Sequence, residues 1–423
     1  MNKFLDKNYY LIFFVFYLTI IGGFYFNEDS LGGAKHDYMY HLKFINLFKE
    51  NNITNGLKMF TGSGYEARNS PFFYLIYAFL NDYLSLETLR KLNSIISFLI
   101  AIFFFKCLKI KYKSERKLIL SLVSCIIFIS PTVRSLSIWP YPLLWGILFF
   151  IISILYYLKF LEKKNNNYQF RYSIYSTLFL ILSAYLHPPL AFFNVFYLFS
   201  FYRYLDISKF LIIILINILF IIPIVIFLTE HGLLFFHKVE GENVNLLTTL
   251  NIFNKIVIIS TIILYYIFPI INPIELIKKI INKINYKNII LFTLITFLFS
   301  LFFNYEFTKI HGGGFVHKFS YLVFGNNIFL FFVFFLSIIF FYFLFDGNKV
   351  NYIIYILIIL TNIQYTIYNK YYDILVMIIF LLISKINFNE KFFKIKNSIL
   401  YFYSIYFFYY LITVFKLKIY ELI

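Results

Sequence analysis

"YYLIFFVFYLTIIGGFYF", Tyr9 to Phe26, carries no charged residue over eighteen positions. Wound as a helix, such a stretch is close to the length that crosses the ~30 Å hydrocarbon layer of a bilayer. It lacks a short apolar core followed by a small-residue cleavage pattern, so it reads as an uncleaved first span. Comparable runs recur through the 423 residues, which are 61% hydrophobic and only 14% charged. A soluble domain carries roughly 25% charged residues, so lipid is the main solvent here. The alternating ~10-residue segments of a transmembrane barrel are absent. The expected fold is all-α, a polytopic transmembrane helical bundle.

The formal net charge of +18 raises the question of nucleic acid. In a membrane protein, basic cytoplasmic loops explain the same excess, and no nucleic-acid partner is expected. The basic clusters are "KCLKIKYKSERK" (Lys106 to Lys117), "KFLEKKNNNYQFR" (Lys159 to Arg171), "KKIINKINYK" (Lys278 to Lys287) and "KINFNEKFFKIK" (Lys385 to Lys396). With the N-terminus inside, alternation gives about 13 spans. Their centres fall near Tyr17, Phe98, Ser124, Phe150, Leu180, Phe196, Leu219, Thr261, Thr296, Leu336, Ile358, Ile378 and Phe407. We expect one integral membrane domain over residues 1–423, in a bacterial inner membrane. Cys107 and Cys125 have no paired spacing and suggest neither a disulfide nor a metal.

On this topology all seven histidines lie in or beside outward-facing segments, so chemistry is expected on the periplasmic face. The largest outer loop, residues 27–82, holds "DYMYHLKFINLFKEN", apolar at helical spacing and therefore an interfacial helix. "NSPFFYLIYAFL" opens with Ser70-Pro71, a helix-start signal, but is short for a span. A second outer loop, residues 304–325, is rich in glycine.

Within these loops Asp37 is the leading candidate base, because a partly desolvated carboxylate can take a proton from a hydroxyl. Asp29, nearer the first span, is the alternative, and helix capping is the bland reading of both. Glu66 and Arg68 follow a glycine turn and either aim into a cavity or form a solvated pair. Arg134, with Ser130, Ser135 and Ser137 nearby, suits a phosphate, although arginines also snorkel at span ends. Trp139 reads as an interface anchor rather than a sugar platform. "KIHGGGFVHK" places Lys309, His311, His317 and Lys318 around Gly313 and its neighbours, a pattern for an anion nest or for a flexible loop. His187, before Pro188-Pro189, is a further headgroup ligand or a helix-end residue. No nucleotide loop or zinc helix motif occurs, and no metal site is expected.

"GGAKHDYMYH", followed by "RNSPFFYLIYAFL" and "LETLRKLNSIISFLIAIFFF", resembles the GT-C superfamily of membrane glycosyltransferases, such as protein O-mannosyltransferases and the aminoarabinose transferases. The resemblance implies a polyprenyl-phosphate sugar donor, membrane lipid, and a glycan, lipid or protein acceptor, with no other cofactor. It implies that Asp37 is the base, and that Arg134 and the Lys309–Lys318 loop hold the donor phosphate. The adjacent Asp-Glu pair of the family is absent, since Tyr38 follows Asp37, and "SPF" replaces "PPL". Alternatives are a polysaccharide polymerase or ligase, and a flippase or other transporter. Transport is disfavoured because the spans look nearly free of ionisable residues.

Overall fold

The computed structural model describes residues 8–63, 69–163, 165–231, 251–271, 273–308, 312–362, 364–385 and 398–422. Among them the chain is helical throughout, and its contacts group into two compact units, Met1–Val244 and Asn245–Ile423. Six helices are long and apolar enough to cross a membrane, or up to eight if two bent pairs count as one span each. The expected centres at Phe98, Ser124, Phe150, Leu219, Thr261, Thr296, Leu336 and Phe407 fall in these. Those at Tyr17, Leu180, Phe196, Ile358 and Ile378 fall in helices that are shorter or more polar.

The first unit contains α1 (Tyr10–Tyr25), α2 (Ala34–Glu50), α3 (Ile53–Gly62), α4 (Pro71–Asn81), α5 (Leu86–Lys111) and α6 (Lys117–Cys125). It continues with α7 (Pro131–Ile138), α8 (Pro142–Glu162), α9 (Asn166–Leu186), α10 (Phe193–Tyr204) and α11 (Ile207–His231). Local chemistry sets several boundaries. Ser70 accepts from Phe72 N–H ahead of Pro71, and Ser85 accepts from Thr88 N–H to start α5. The expected interfacial helix is α2, whose Phe44, Ile45 and Phe48 pack with Phe60 of α3 and Phe73, Tyr74 and Tyr77 of α4.

Two features hold the centre of this unit. First, the apolar helices α6 and α7 meet at a 62° bend. The last turn of α7 leaves carbonyls without intrahelical partners, and buried Asn93 of α5 donates to Leu136 O and Ser137 O at 2.7 and 2.9 Å. Its own Oδ1 accepts from Tyr77 Oη and Trp145 Nε1. Second, α8 and α9 meet along a seam of small residues, as membrane helices do when close approach replaces the hydrophobic effect. Ser153 donates to Ser176 O and Ser183 to Gly146 O, both at 2.8 Å.

The second unit contains α12 (Ile252–Ile267), α13 (Pro273–Lys283), α14 (Tyr286–Phe302), α15 (Gly314–Phe324), α16 (Ile328–Phe345), α17 (Lys349–Leu360), α18 (Asp373–Leu382) and α19 (Ser398–Leu422). The chain does not simply cross back and forth here. Asn304, after α14, bonds Asn254 at the start of α12. Ten residues later Gly314 lies against Ile258 and Ile262, and Phe315 meets Tyr265, so the segment runs along α12 towards its middle. From there α15 turns back towards the start of α16, where Ser320 caps Leu330 N–H.

A second hairpin comes from α17 and α18, whose bases are tied by Asn351 and Lys385. These helices have 12 and 10 residues. At 1.5 Å per residue they reach only about 18 and 15 Å, half a bilayer core. The hairpin tip touches the glycine turn, since Ile367 N–H donates to Tyr305 Oη at 3.3 Å and Ile367 lies against Gly312.

A Cβ at Gly146 would stand 2.8 Å from His187 Cβ, with no room to yield across the α8–α9 seam. Gly146→Val is therefore expected to cost about 1–3 kcal/mol from overpacking. A melt of the purified variant in detergent at the wild-type temperature would contradict this packing.

Candidate functional site

The outgoing end of α1 and the loop after it place most of the expected residues of the first unit. Arg134, on α7, grips Glu28 with two parallel bonds, Nε to Oε1 at 2.7 Å and Nη2 to Oε2 at 2.5 Å. Its remaining donors go to Thr19 Oγ1, Thr19 O and Phe128 O. The two side chains are 11% and 16% exposed. A guanidinium satisfied in this way closes the end of α1 and the α6–α7 break, and has little left for a phosphate. Gly23 makes the pair sterically feasible, because a Cβ there would lie 2.5 Å from Glu28 Oε2.

Asp29 has a comparable role. Its carboxylate accepts from the N–H groups of Gly32, Gly33, Ala34 and Lys35 at 2.9–3.2 Å, so it occupies the positive end of α2. Ser135 Oγ lies 3.4 Å away and also receives Leu31 N–H. Four to five donors fill the lone-pair positions that a substrate hydroxyl would need.

Trp139 is buried within the protein. Its Nε1 donates to Glu28 O, and the Arg90 guanidinium stacks 4.3 Å from its ring centre. Arg90 also donates to Ile138 O, Glu87 and Asn27. Tyr38 packs on the same indole, and its burial, opposed by Arg90 and reinforced by Glu87, pushes its hydroxyl up to about 12. It stays protonated and is no base.

Asp37 sits in the first turn of α2, half-buried. His41 lies four residues on, hence on the same helix face. The His41 ring is buried, shares a 2.9 Å hydrogen bond between Nδ1 and Tyr74 Oη, and meets Tyr141 edge-on. Asn69 Nδ2 donates to the same Tyr74 hydroxyl at 3.4 Å. Sequence reasoning passed over Tyr74, Tyr141 and Asn69, whose residue types fit an apolar core or a loop equally well. Glu66 and Arg68 lie outside the described residues. His187 ends α9, half-buried against Gly146.

In the second unit Gly312, Gly313 and Gly314 all have positive φ, 56°, 87° and 72°, the region glycine enters without penalty. The turn they make is filled rather than open. A Cβ on Gly312 would collide with Tyr305 Oη, and one on Gly313 would lie 2.7 Å from His317 Nδ1. His317 is buried between Phe303, Tyr305 and Phe307, and neither ring nitrogen has a hydrogen-bond partner among the described residues. Burial, then the Lys318 charge, brings the imidazole down to about 4, so it is neutral near pH 7 and adds no positive charge to the turn. Lys318 is half-buried, and Lys309 and His311 lie outside the described residues.

The residue most clearly missed is Asp373. It begins α18, is fully buried, and acts electrostatically on the hydroxyls of Tyr265, Tyr266, Tyr406 and Tyr409. Among the described residues no group of three or more His, Cys, Asp or Glu is placed to hold a metal ion. No family model, curated protein or solved structure matches the chain.

Two outcomes follow from this geometry. Glu28→Gln leaves a largely buried guanidinium short of its charge partner and is expected to cost on the order of 3 kcal/mol. Equal melting of variant and wild type would remove the pair's structural role. For His317, the unfolded chain binds a proton near pH 6.5 and the folded chain only near 4. Stability therefore falls as pH drops through that window. His317→Phe, which suits the aromatic surroundings, should flatten that part of the stability–pH curve; an unchanged slope would refute the assignment.

Proposed function

We propose that the chain is a membrane glycosyltransferase of the GT-C kind, taking its sugar from a polyprenyl-phosphate donor and working on the periplasmic face of a bacterial inner membrane. The supporting observation is the division of labour between two neighbouring carboxylates. Asp29 is spent on four backbone N–H groups. Asp37, one turn further on, is half-buried on an interfacial helix beside His41. Asp37 is then the base and Asp29 its support.

In this reading Asp37 takes the proton of the acceptor hydroxyl. The acceptor oxygen bonds the anomeric carbon, the bond from that carbon to the phosphate oxygen breaks, and polyprenyl phosphate leaves with inversion. Lys35, exposed on the same turn, supplies positive charge beside it. Such charge lowers the barrier by stabilising the leaving phosphate. Arg134 has no direct part, since its guanidinium is held by Glu28. The about 13 spans of the GT-C reading count α1, α9, α10, α17 and α18 as crossings besides the long apolar helices.

Transport is the second reading, favoured by the second unit. There a half-length hairpin carries a fully buried Asp373 at its tip. Ion and substrate sites of transporters use interrupted helices of this kind.

Asp37→Asn should reduce transfer from a labelled polyprenyl-phosphate sugar by at least about 100-fold, the scale of a lost general base. Asp29→Asn should lower stability and leave substantial turnover per folded molecule. Full activity in Asp37→Asn would exclude it as the base. Counterflow of labelled solute in vesicles, without any sugar transfer, would favour the transport reading.

A further inference from the structure

The chain turns through 108° between α13 and α14. Helix α14 carries exposed apolar side chains, among them Leu291, Leu294, Leu298 and Leu301, as a helix surrounded by acyl chains does. With α14 crossing the bilayer, α13 lies close to the membrane plane.

Three sides of α13 have three different surroundings. Leu276 is buried, and Lys279 donates to Phe343 O at 2.8 Å and pairs with Asp346 at 3.1 Å, so this side rests on the end of α16. Ile277 and Ile281, four residues apart and therefore on one face, are 52% and 68% exposed. Lys278 and Lys283 are exposed, as are Tyr286 and Lys287 where α14 begins. The side chains of Lys278, Lys283 and Lys287 make no ion pair or hydrogen bond with a described residue, and Asp346, the acid at this end of α16, is taken by Lys279.

Exposed isoleucines beside unpaired lysines suit a helix seated at the level of lipid headgroups. The isoleucines reach the acyl boundary, and the long lysine stems let the charges snorkel to the phosphates. A soluble phosphate would answer the lysines and leave the isoleucines in water; a lipid answers both. Zwitterionic lipid carries no net charge, whereas anionic lipid brings the sign that the lysines complement.

We infer that α13 and the first turn of α14 form a docking surface for anionic phospholipid. Lys278, Lys283 and Lys287 meet its phosphate groups, and Ile277 and Ile281 meet its acyl chains. The inference does not rest on the transferase reading. Bound lipid braces the α13–α14 joint, which Lys279 already ties to α16.

The test is thermal melting of the full chain in neutral detergent, titrated with phosphatidylglycerol or with phosphatidylcholine of the same acyl chains. A saturable rise in melting temperature is expected, with a midpoint at least about tenfold lower for phosphatidylglycerol. Lys278→Gln/Lys283→Gln/Lys287→Gln should melt like wild type in detergent alone and move that midpoint at least about tenfold higher. Ile277→Ser/Ile281→Ser, which keeps the charges, should raise it as well. A control of equal charge at exposed lysines of the first unit, Lys58→Gln/Lys91→Gln/Lys163→Gln, should leave it in place. Equal midpoints for the two lipids overturn the surface, and so does a control that shifts as far as the α13 lysine variant. A rise of the same size with glycerol phosphate, which has no acyl chain, overturns the lipid in favour of a soluble anion.

Discussion

Hydrocarbon offers no water to a backbone N–H or C=O, so any break in a helix at membrane depth must be satisfied by the protein itself. That constraint governs where the polar side chains of this chain are used. In the first unit Arg134 donates to Phe128 O at the α6–α7 break, while Asn93 on Leu136 O and Ser137 O and Arg90 on Ile138 O satisfy the end of α7. In the second unit Tyr305 receives Ile367 N–H, while Asn254 and Asn351 answer the main chain at Asn304 and Lys385. Each is a polar side chain recruited to an interruption in a greasy chain.

The same demand separates groups that look alike on paper. Arg134 and Asp29 have the residue types of a phosphate ligand and a base, but both are used up by local structure, one by an ion pair and carbonyls, the other by a helix start. A charge whose hydrogen-bonding capacity is filled from within holds the fold together and gives little to a substrate. Asp37 and Asp373 lie in different surroundings. Asp37 is only half-buried and lies beyond the cap that Asp29 already provides. Asp373 is enclosed among aromatic hydroxyls, two of which have no hydrogen bond to a described residue.

Much of the helical layout was legible in the chain because it rests on local signals. Ser70-Pro71 opens α4 as its residues suggest, the apolar stripe of "DYMYHLKFINLFKEN" becomes the buried face of α2, and the long apolar runs are helices. The sites were less legible, because their partners are remote in sequence. Glu28 and Arg134 are 106 positions apart, so neither advertises the other. His317 and its glycines read as cationic when counted by residue type, but the aromatic side chains that neutralise the histidine by burial are spread from Phe303 to Phe307. Asp373 stood unnoticed between "NKYY" and "ILVMIIFLL", since a single carboxylate beside an apolar run looks like a span end. Only its burial, a tertiary fact, places it inside the protein.

The chain's own composition sharpens the meaning of the tyrosines around that carboxylate. With 60 Phe beside 39 Tyr, phenylalanine is the common filler of its aromatic packing. At a buried position the two rings occupy nearly the same space and differ by one hydroxyl, which costs roughly 1–3 kcal/mol when left without a hydrogen bond. Tyr74 binds His41, Tyr77 binds Asn93 and Tyr157 binds Ser200, whereas the enclosed hydroxyls of Tyr197, Tyr266, Tyr372 and Tyr406 make no such bond to a described residue. Two of these, Tyr266 and Tyr406, lie in the ring cluster shared by α12 and α19. Packing alone would favour phenylalanine at such positions, so these phenol oxygens carry a cost that ring burial does not explain.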